Sequence, residues 1–302
     1  MDRRQLLAGA TLSALAALFP LSNAFAAEPL KLATPKTIKV GVTAGIAAEV
    51  LEQALPIAKE RGLNIKIVEF QDYVQPNVAL HSHDLDANIY QTVPFIEAQS
   101  RDHGYNFAVV GQAFTLPMAF YSKKVKSFKD APEGATVGIP NDQAMGARAL
   151  LILDKNGVIK LKKGVGLLPS VFDIEENPKK LKFVELEAAQ LPRSLDDLTV
   201  AAVNGNYAYV ANLNPKRDGI LSEDAHGSYV CNIVVNDPDK NQDWARVLVE
   251  AYRSPSVREF IEKKRWSCVS CLLKLKSTEL SEGKRGTKRG DAFFQLNDHP
   301  FF

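Results

Sequence analysis

Residues 37–43 read TIKVGVT, and the side chains of Ile38, Val40 and Val42 fall on one face at a period of two, which predicts a β-strand. Across residues 47–61 the spacing of apolar residues lengthens to three and four, which predicts a helix that ends at the next glycine. A strand followed directly by a helix is the first half of a β-α-β unit. This stretch therefore favours an α/β fold in which helices cover a largely parallel sheet.

The same alternation of strand and helix patterns continues along the chain. Strands are predicted at 64–70, 107–110, 135–139, 181–186, 199–203 and 229–235. Helices are predicted at 94–101, at 143–155 and at 244–264, the last interrupted by Ser254-Pro255. Ser194 and Asp197 match a capping box that would open a further short helix. A second run of units starts after residues 121–124, and the length of 302 residues favours about two domains.

The composition is that of a globular protein and excludes disordered and collagen-like chains. Hydrophobic residues make up 46% and charged residues 24%, and the net charge is +2. No predicted element carries the cluster of Lys and Arg on one face that a nucleic-acid binder needs. The excess of positive charge lies after Lys264, in a segment without apolar periodicity. We expect residues 265–302 to be an atypical, loosely ordered tail.

The first 26 residues have the pattern of a signal peptide. A short basic region is followed by an alanine-rich apolar run and by Ala24-Phe25-Ala26, which fits an A-x-A cleavage site. A membrane anchor is the alternative, but Pro20 interrupts the run before it is long enough to span a bilayer. The pair Arg3-Arg4 leaves both the general secretory and the twin-arginine route open. The cysteines are Cys231, Cys268 and Cys271, so the cysteine that would carry a lipid is missing and we expect a soluble periplasmic or secreted protein.

Signals for an enzyme or a metal site are weak. His81 and His83 are two residues apart in a polar loop, but no third ligand can be identified. Cys268 and Cys271 have C-x-x-C spacing without a second pair of ligands or the context of a redox domain. Phosphate-binding glycine loops and serine-hydrolase elbows are absent from the sequence. No catalytic residue, metal or cofactor is therefore predicted.

Polar and aromatic residues follow several predicted strands, at the edge where open α/β sheets bind ligands. They are Tyr73, Asn88, Tyr90, Gln91, Asn141 and Asn204. The turn at Asn141 precedes a helix, whose first backbone N–H groups favour an anionic ligand group. Arg148 follows about two turns later, and its planar donors could complete a clamp for a carboxylate. Each residue also has a purely structural interpretation, such as a helix cap, packing or a solvated charge.

Several ordered motifs resemble the MetQ/NlpA family, the substrate-binding proteins of methionine ABC importers. They are FQDYV (70–74), DANIYQ (86–91), YSKK (121–124), PND (140–142), GVGLLP (164–169) and LEAAQLPRSLDD (186–197). The resemblance implies a two-lobed periplasmic-binding-protein type 2 architecture with a ligand cleft between hinge-linked lobes. It implies crossovers near 122–126 and 228–230. Lobe 1 would comprise 35–122 plus 230–264, and lobe 2 would comprise 123–229.

The resemblance also implies roles for individual residues. Tyr73 and Tyr90 would flank the ligand side chain, Asn141 and Arg148 would hold its carboxylate, and Asn204 would hold its amino group. Family members commonly have His where this chain has Thr92. Their Asn-Asp turn usually continues Pro-Thr-Asn, whereas this chain has Gln143-Ala144-Met145. The expected ligand is therefore methionine or a related amino acid or short peptide.

The sequence thus predicts a non-enzymatic, monomeric receptor that delivers an amino acid to an ABC permease. One alternative is a secreted enzyme on the same bilobed fold, which would need a nucleophile or general base in the cleft. The other is a surface interaction protein that has lost transport and whose basic tail contacts anionic envelope polymers.

Overall fold

The computed structural model describes residues 28–223 and 229–264. The predicted signal peptide and the predicted tail lie outside these residues. No helix in the described ranges combines the length and the apolar character needed to cross a bilayer.

The chain forms two five-stranded sheets. The first contains β1 (Lys36–Thr43), β2 (Leu63–Phe70), β3 (Ala87–Thr92), β4 (Phe107–Gln112) and β12 (Cys231–Asn236). The second contains β5 (Ala119–Tyr121), β6 (Thr136–Pro140), β9 (Lys182–Leu186), β10 (Val200–Val203) and β11 (Gly219–Ser222). The strand orders are β2-β1-β3-β12-β4 and β11-β5-β10-β6-β9, and β7 (Lys160–Leu161) pairs separately with β8 (Ile174–Glu176).

Eight α-helices accompany the sheets in the described ranges. They are α1 (Ile46–Glu52), α2 (Leu55–Glu60), α3 (Gln75–His81), α4 (Val93–His103), α5 (Gln143–Lys155), α6 (Gly205–Val210), α7 (Asp243–Tyr252) and α8 (Pro255–Lys263). The predicted helix over 47–61 is wrong as a single element. It is divided into α1 and α2 because Pro56, near the start of α2, has no N–H to continue the hydrogen-bond ladder.

Both sheets are mixed, whereas the sequence predicted a largely parallel sheet. β1 is parallel to β2 and β3, but β12 is antiparallel to β3 and β4. In the second sheet β6 is parallel to β9 and β10, but β5 is antiparallel to β10 and β11. The antiparallel strands β5 and β12 are those that carry the chain from one sheet into the other.

The chain passes between the sheets twice. We call residues 113–118 the first crossover, and we call the described residues 223, 229 and 230 the second crossover. The resemblance implied a first crossover near 122–126, which places β5 in lobe 1. β5 instead pairs with β10 and β11, and its three residues are fully buried in the second lobe, so the crossing is already complete at Ala119. The two-lobed α/β architecture itself is confirmed.

The apolar cores follow from these layers. Ile38, Val40 and Val42 all pack into one cluster, as their spacing predicts. β10 contributes to two clusters, because Val200 and Ala202 pack with α5 while Ala201 and Val203 belong to the other cluster, which contains residues of both lobes. The predicted capping box at Ser194 is wrong. Ser194 lies inside a 3-10 turn, and its hydroxyl donates to the carbonyl of Gln190 at 3.1 Å.

Candidate functional site

A cavity of about 30 Å³ lies between the two lobes, beside the crossovers. The first lobe and β12 line it with Thr43, Ala47, Tyr73, Tyr90, Gln91, Thr92, Phe95 and Cys231. The first crossover contributes Phe114 and Leu116, and the second lobe contributes Met145, Arg148, Asn204, Gly205 and Asn206.

The structure brings most of the predicted site residues together. Those that line the cavity are Tyr73, Tyr90, Gln91, Thr92, Arg148 and Asn204. Asn88 and Asn141 do not line it. Residues that follow strands in both lobes therefore line the cavity, as predicted, whereas Asn88 and Asn141 lie elsewhere.

Asn88 is fully buried in a network of side-chain amides. Its Nδ2 donates to Oδ1 of Asn77 at 3.1 Å, and Nε2 of Gln91 donates to Oδ1 of Asn88 at 2.9 Å. Gln91 Nε2 also donates to Asn77 at 2.8 Å. These contacts satisfy polar groups in the layer between α3 and β3. Asn88 therefore supports the wall of the cavity from behind.

Asn141 is exposed, and its neighbour Asp142 is the residue that caps α5. The Asp142 carboxylate accepts the backbone N–H of Met145 at 2.8 Å. β6 ends at Pro140, so the turn places Asp142, and not Asn141, at the helix N-terminus. Burial raises the pKa of Asp142 to about 6, although backbone N–H groups of α5 and the charge of Arg148 act in the opposite direction.

The raised pKa of Asp142 makes stability depend on pH. Because the folded protein binds this proton more tightly than the unfolded chain, the contribution is present below the ordinary value of 3.8 and is lost as pH rises through about 6. We expect the free energy of unfolding of the wild type to fall relative to Asp142→Asn between pH 4 and pH 7. Urea titrations at several pH values measure this difference.

Asp173 provides a control of opposite sign. Hydrogen bonds from Ser170 hold its pKa below the ordinary value, so its contribution is gained as pH rises. The wild type should therefore gain stability relative to Asp173→Asn over the acidic range. If the free energy of unfolding changes with pH in the same way for the wild type and for Asp142→Asn, burial does not raise the pKa of Asp142.

Three aromatic rings form one corner of the cavity. The rings of Tyr73 and Tyr90 are stacked at 5.8 Å, and Phe95 meets each of them edge-on at 6.0 Å. The hydroxyl of Tyr90 donates to the backbone carbonyl of Tyr73 at 2.8 Å. Burial raises the pKa of both tyrosines well above the ordinary value, so both hydroxyls stay protonated. This corner offers apolar, polarizable surface to a ligand side chain.

The lobes are connected directly across the cavity by Tyr73. Its hydroxyl donates to Oδ1 of Asn206, which lies in the first turn of α6. Asn206 was not among the predicted site residues. Asn206 lies two positions after Asn204. The strand-end rule, by which polar residues that follow a strand are candidates for ligand binding, identified Asn204 and could have been extended to Asn206.

Two buried oxygen atoms in the wall have no hydrogen-bond partner in the described part of the chain. They are Oγ1 of Thr92 and Oδ1 of Asn204, in residues that are each 3% exposed. A buried acceptor without a donor is unfavourable, and such groups are typical of binding sites. Because these atoms come from opposite lobes, a ligand ammonium group could donate to both when the cleft is closed.

Arg148 supplies the positive charge of the cavity and is only 4% exposed. Its guanidinium lies 4.5 Å from the ring centre of Tyr229 and forms an ion pair with Glu223. Burial alone would lower the pKa of Arg148, but the charge of Glu223 raises it above the ordinary value. Arg148 is therefore a charged donor in a largely apolar wall, as a carboxylate site requires.

A second group of contacts holds the outer rim of the cleft. The hydroxyl of Tyr209 on α6 donates to Oε1 of Glu49 on α1 at 2.8 Å, and Lys264 donates to Oε2 of the same carboxylate. Burial raises the pKa of Glu49, but the hydrogen bonds from Lys264 and Tyr209 outweigh it and hold the pKa below the ordinary value. We call these three residues the rim cluster.

The histidines considered as metal ligands have other partners. His81 packs on Tyr105 with ring centres 5.0 Å apart, and Nδ1 of His83 is 3.2 Å from the side-chain amide of Asn236. Across residues 28–223 and 229–264, no group of three His, Cys, Asp or Glu side chains could hold a metal ion. The C-x-x-C pair, Cys268 and Cys271, lies outside the described residues.

Comparisons with known proteins find relatives that are named for methionine binding. The D-methionine-binding lipoprotein MetQ of Escherichia coli (strain K12) is 47% identical over 232 residues, which cover 76% of this chain and 86% of that protein. A nutrient-binding protein from Burkholderia cenocepacia, solved bound to methionine, is 49% identical with a TM-score of 0.75, over 78% of this chain and 99% of that chain. A crystal structure of the methionine-binding protein MetQ is 46% identical with a TM-score of 0.75, over 78% and 97% of the two chains.

The family model described as NlpA lipoprotein matches residues 38–269. This range contains all residues of the cavity wall and both sheets, except the first two residues of β1. The family resemblance predicted from the ordered motifs is confirmed by these matches. The chain belongs to the NlpA lipoprotein family.

Proposed function

We propose that this protein is the substrate-binding component of an ABC importer and that it binds methionine or a closely related amino acid. One observation carries the proposal. A buried arginine, an aromatic corner and two unpartnered oxygen acceptors line a single cavity between the lobes. These groups complement the carboxylate, the side chain and the ammonium group of an amino acid, respectively.

Each part of methionine has a partner in this proposal. The carboxylate accepts hydrogen bonds from Arg148, and the ammonium group donates to Oδ1 of Asn204 and Oγ1 of Thr92. The thioether packs against the rings of Tyr73 and Tyr90, since sulfur–aromatic contacts are favourable. The relatives are named as methionine-binding or nutrient-binding proteins and not as enzymes, so we propose that the bound molecule is released unchanged.

The substitutions at Thr92 and Met145 alter the polarity of the same cavity. Thr92 has a shorter side chain than the histidine that family members commonly have at this position. Met145 has a thioether where family members usually have the amide of an asparagine. Both residues line the cavity. Thr92 would leave more room than a histidine, Met145 would fill more room than an asparagine, and both would make the site less polar, which favours methionine and other apolar side chains over polar ones.

Transport requires the two lobes to separate and close. The crossovers are the natural hinge, because the chain passes from the first sheet to the second after β4 and returns to the first sheet after β11. We propose that the open form takes up the ligand outside the cytoplasm and that the closed form delivers it to the permease. The predicted signal peptide at 1–26 and the lipoprotein names of the relatives support export.

Methionine should stabilise the purified protein. At a concentration 100 times Kd, a ligand adds about 2.7 kcal/mol to the free energy of unfolding, which corresponds to a rise in Tm of roughly 5 to 10 °C. We expect this rise with D- or L-methionine in a thermal-shift experiment. Mass spectrometry of the ligand that co-purifies with the native protein identifies the compound independently.

Methioninol and other amino acids serve as comparison compounds that make the test specific. Methioninol, which lacks the carboxylate, should produce almost no shift if Arg148 holds that group. If neither enantiomer of methionine raises Tm but another amino acid does, methionine is not the ligand. The proposal that the protein is an amino-acid receptor would then still hold. Chemical turnover of the bound compound would overturn the receptor itself in favour of an enzyme.

A further inference from the structure

In the described part of the chain, the three guanidinium nitrogens of Arg148 differ in their hydrogen-bond partners. Nε lies 3.2 and 3.1 Å from the two carboxylate oxygens of Glu223, and Nη2 donates to Glu223 Oε2 and to the backbone carbonyl of Leu116 at 3.0 Å. Among residues 28–223 and 229–264, the hydrogen-bond contact of Nη1 is to the sulfur of Met145, at 3.9 Å. Met145 lines the cavity and Glu223 does not. Nη1 is therefore the donor that is left for a ligand.

Glu223 also connects the two crossovers. It begins the second crossover, and its side chain accepts the backbone N–H of Met118 at 3.1 Å. Its own N–H donates to the carbonyl of Met118 at 3.0 Å. Met118 ends the first crossover, directly before β5. One carboxylate thus ties a residue of α5 in the second lobe to both segments about which the lobes move.

The charges of this pair are balanced and buried. The side chains of Arg148 and Glu223 are 4% and 10% exposed. Removing one partner of such a pair leaves the other charge unpaired in an apolar environment, where it no longer holds one orientation. The position of Arg148 consequently depends on Glu223, and the Arg148–Glu223 pair adds no net charge to the site.

We propose that Glu223 is a positioning residue for ligand binding, which fixes Arg148 between the crossovers so that Nη1 alone grips the ligand carboxylate. The proposal rests on the proposed function, because it assumes an amino-acid ligand. It deepens that function in one respect. Since Glu223 neutralises Arg148, the site selects ligands without net charge over acidic amino acids, whose extra carboxylate finds no free positive charge here.

A double-mutant cycle tests whether Glu223 acts through Arg148. We expect Glu223→Gln to weaken methionine binding by at least about tenfold in the wild type. In the Arg148→Ala background the same change should alter Kd by less than about twofold, because the residue through which it acts is gone. Equal losses in both backgrounds would show a general effect on the fold and would overturn the proposal, as would unchanged affinity in the single variant.

The exposed pair of Glu133 and Lys180 provides the matched control. Its side chains are 65% and 76% exposed, so Glu133→Gln should leave Kd within about twofold of the wild type. A loss at Glu133 as large as that at Glu223 would remove the case for a specific role.

A measurement without ligand separates this proposal from the proposed function. In Glu223→Ala the N–H of Met118 loses its acceptor, so hydrogen exchange of residues 113–118 should become faster while exchange of β1 stays unchanged. If wild-type protein fails to bind methionine but this segment loosens, the proposed ligand is wrong and the positioning role stands. Unchanged exchange in the segment would overturn the role of Glu223 whatever the ligand is.

Discussion

Arg148→Ala is expected to weaken methionine binding by about 2 to 5 kcal/mol, which is more than a tenfold increase in Kd. The ligand carboxylate would remain buried in the cleft without its charged donor. Glu223 would also lose the partner that compensates its own burial. Isothermal titration calorimetry measures the affinity, and circular dichroism of the same samples shows whether the lobes are folded.

Arg217 is the matched control for this variant. It also forms an ion pair, with Asp218, but its side chain is 63% exposed on the surface of the second lobe. Arg217→Ala removes the same charge and should leave methionine affinity unchanged. An Arg148→Ala protein that is folded and binds methionine as tightly as the wild type would exclude Arg148 from the site.

Phe120→Ala is expected to lower the free energy of unfolding by about 3 to 5 kcal/mol. Phe120 is the central residue of β5, is fully buried, and meets Phe128 edge-on with ring centres 5.4 Å apart. Truncation would leave a cavity in the core of the second lobe, between β5 and α5. Urea unfolding followed by circular dichroism measures the loss.

Phe172 is the corresponding control, because it is the same residue type in the same lobe but is 85% exposed. Phe172→Ala should change the free energy of unfolding by no more than about 0.5 kcal/mol. Similar effects of the two substitutions would contradict the placement of β5 in the core of the second lobe.

Some strands, such as β1, were predictable from local patterns because apolar residues repeat at the period of the strand, whereas the short strands β5, β7, β8 and β11 were not predicted. Ile38, Val40 and Val42 face one core, and the alternation is visible in the sequence. β10 lacks such an alternation because both of its faces are buried, but its continuous apolar run still predicts a strand. The orientation of β5 and β12 was not predictable, since it depends on how the chain crosses between the sheets.

The cavity could be predicted only in part, for reasons of geometry. The strand-end rule correctly brings Tyr73, Tyr90 and Asn204 to one cavity. It cannot distinguish Asn141 from Asp142, because one step along a turn decides which side chain caps the helix. Glu223 was missed because its partner Arg148 is 75 residues away in sequence, and no local pattern signals a contact of that kind.

The rim cluster has a consequence for how easily the cleft opens. Glu49 and Lys264 both belong to the first lobe, where α1 packs against α8, whereas Tyr209 belongs to the second. When the lobes separate, the Glu49 carboxylate loses its hydrogen bond from Tyr209 but keeps its ion pair with Lys264. Opening the cleft therefore leaves no unpaired charge at its rim. The contacts of the rim cluster can therefore break and re-form with a small change in free energy. This property suits a receptor that must release its ligand in every transport cycle.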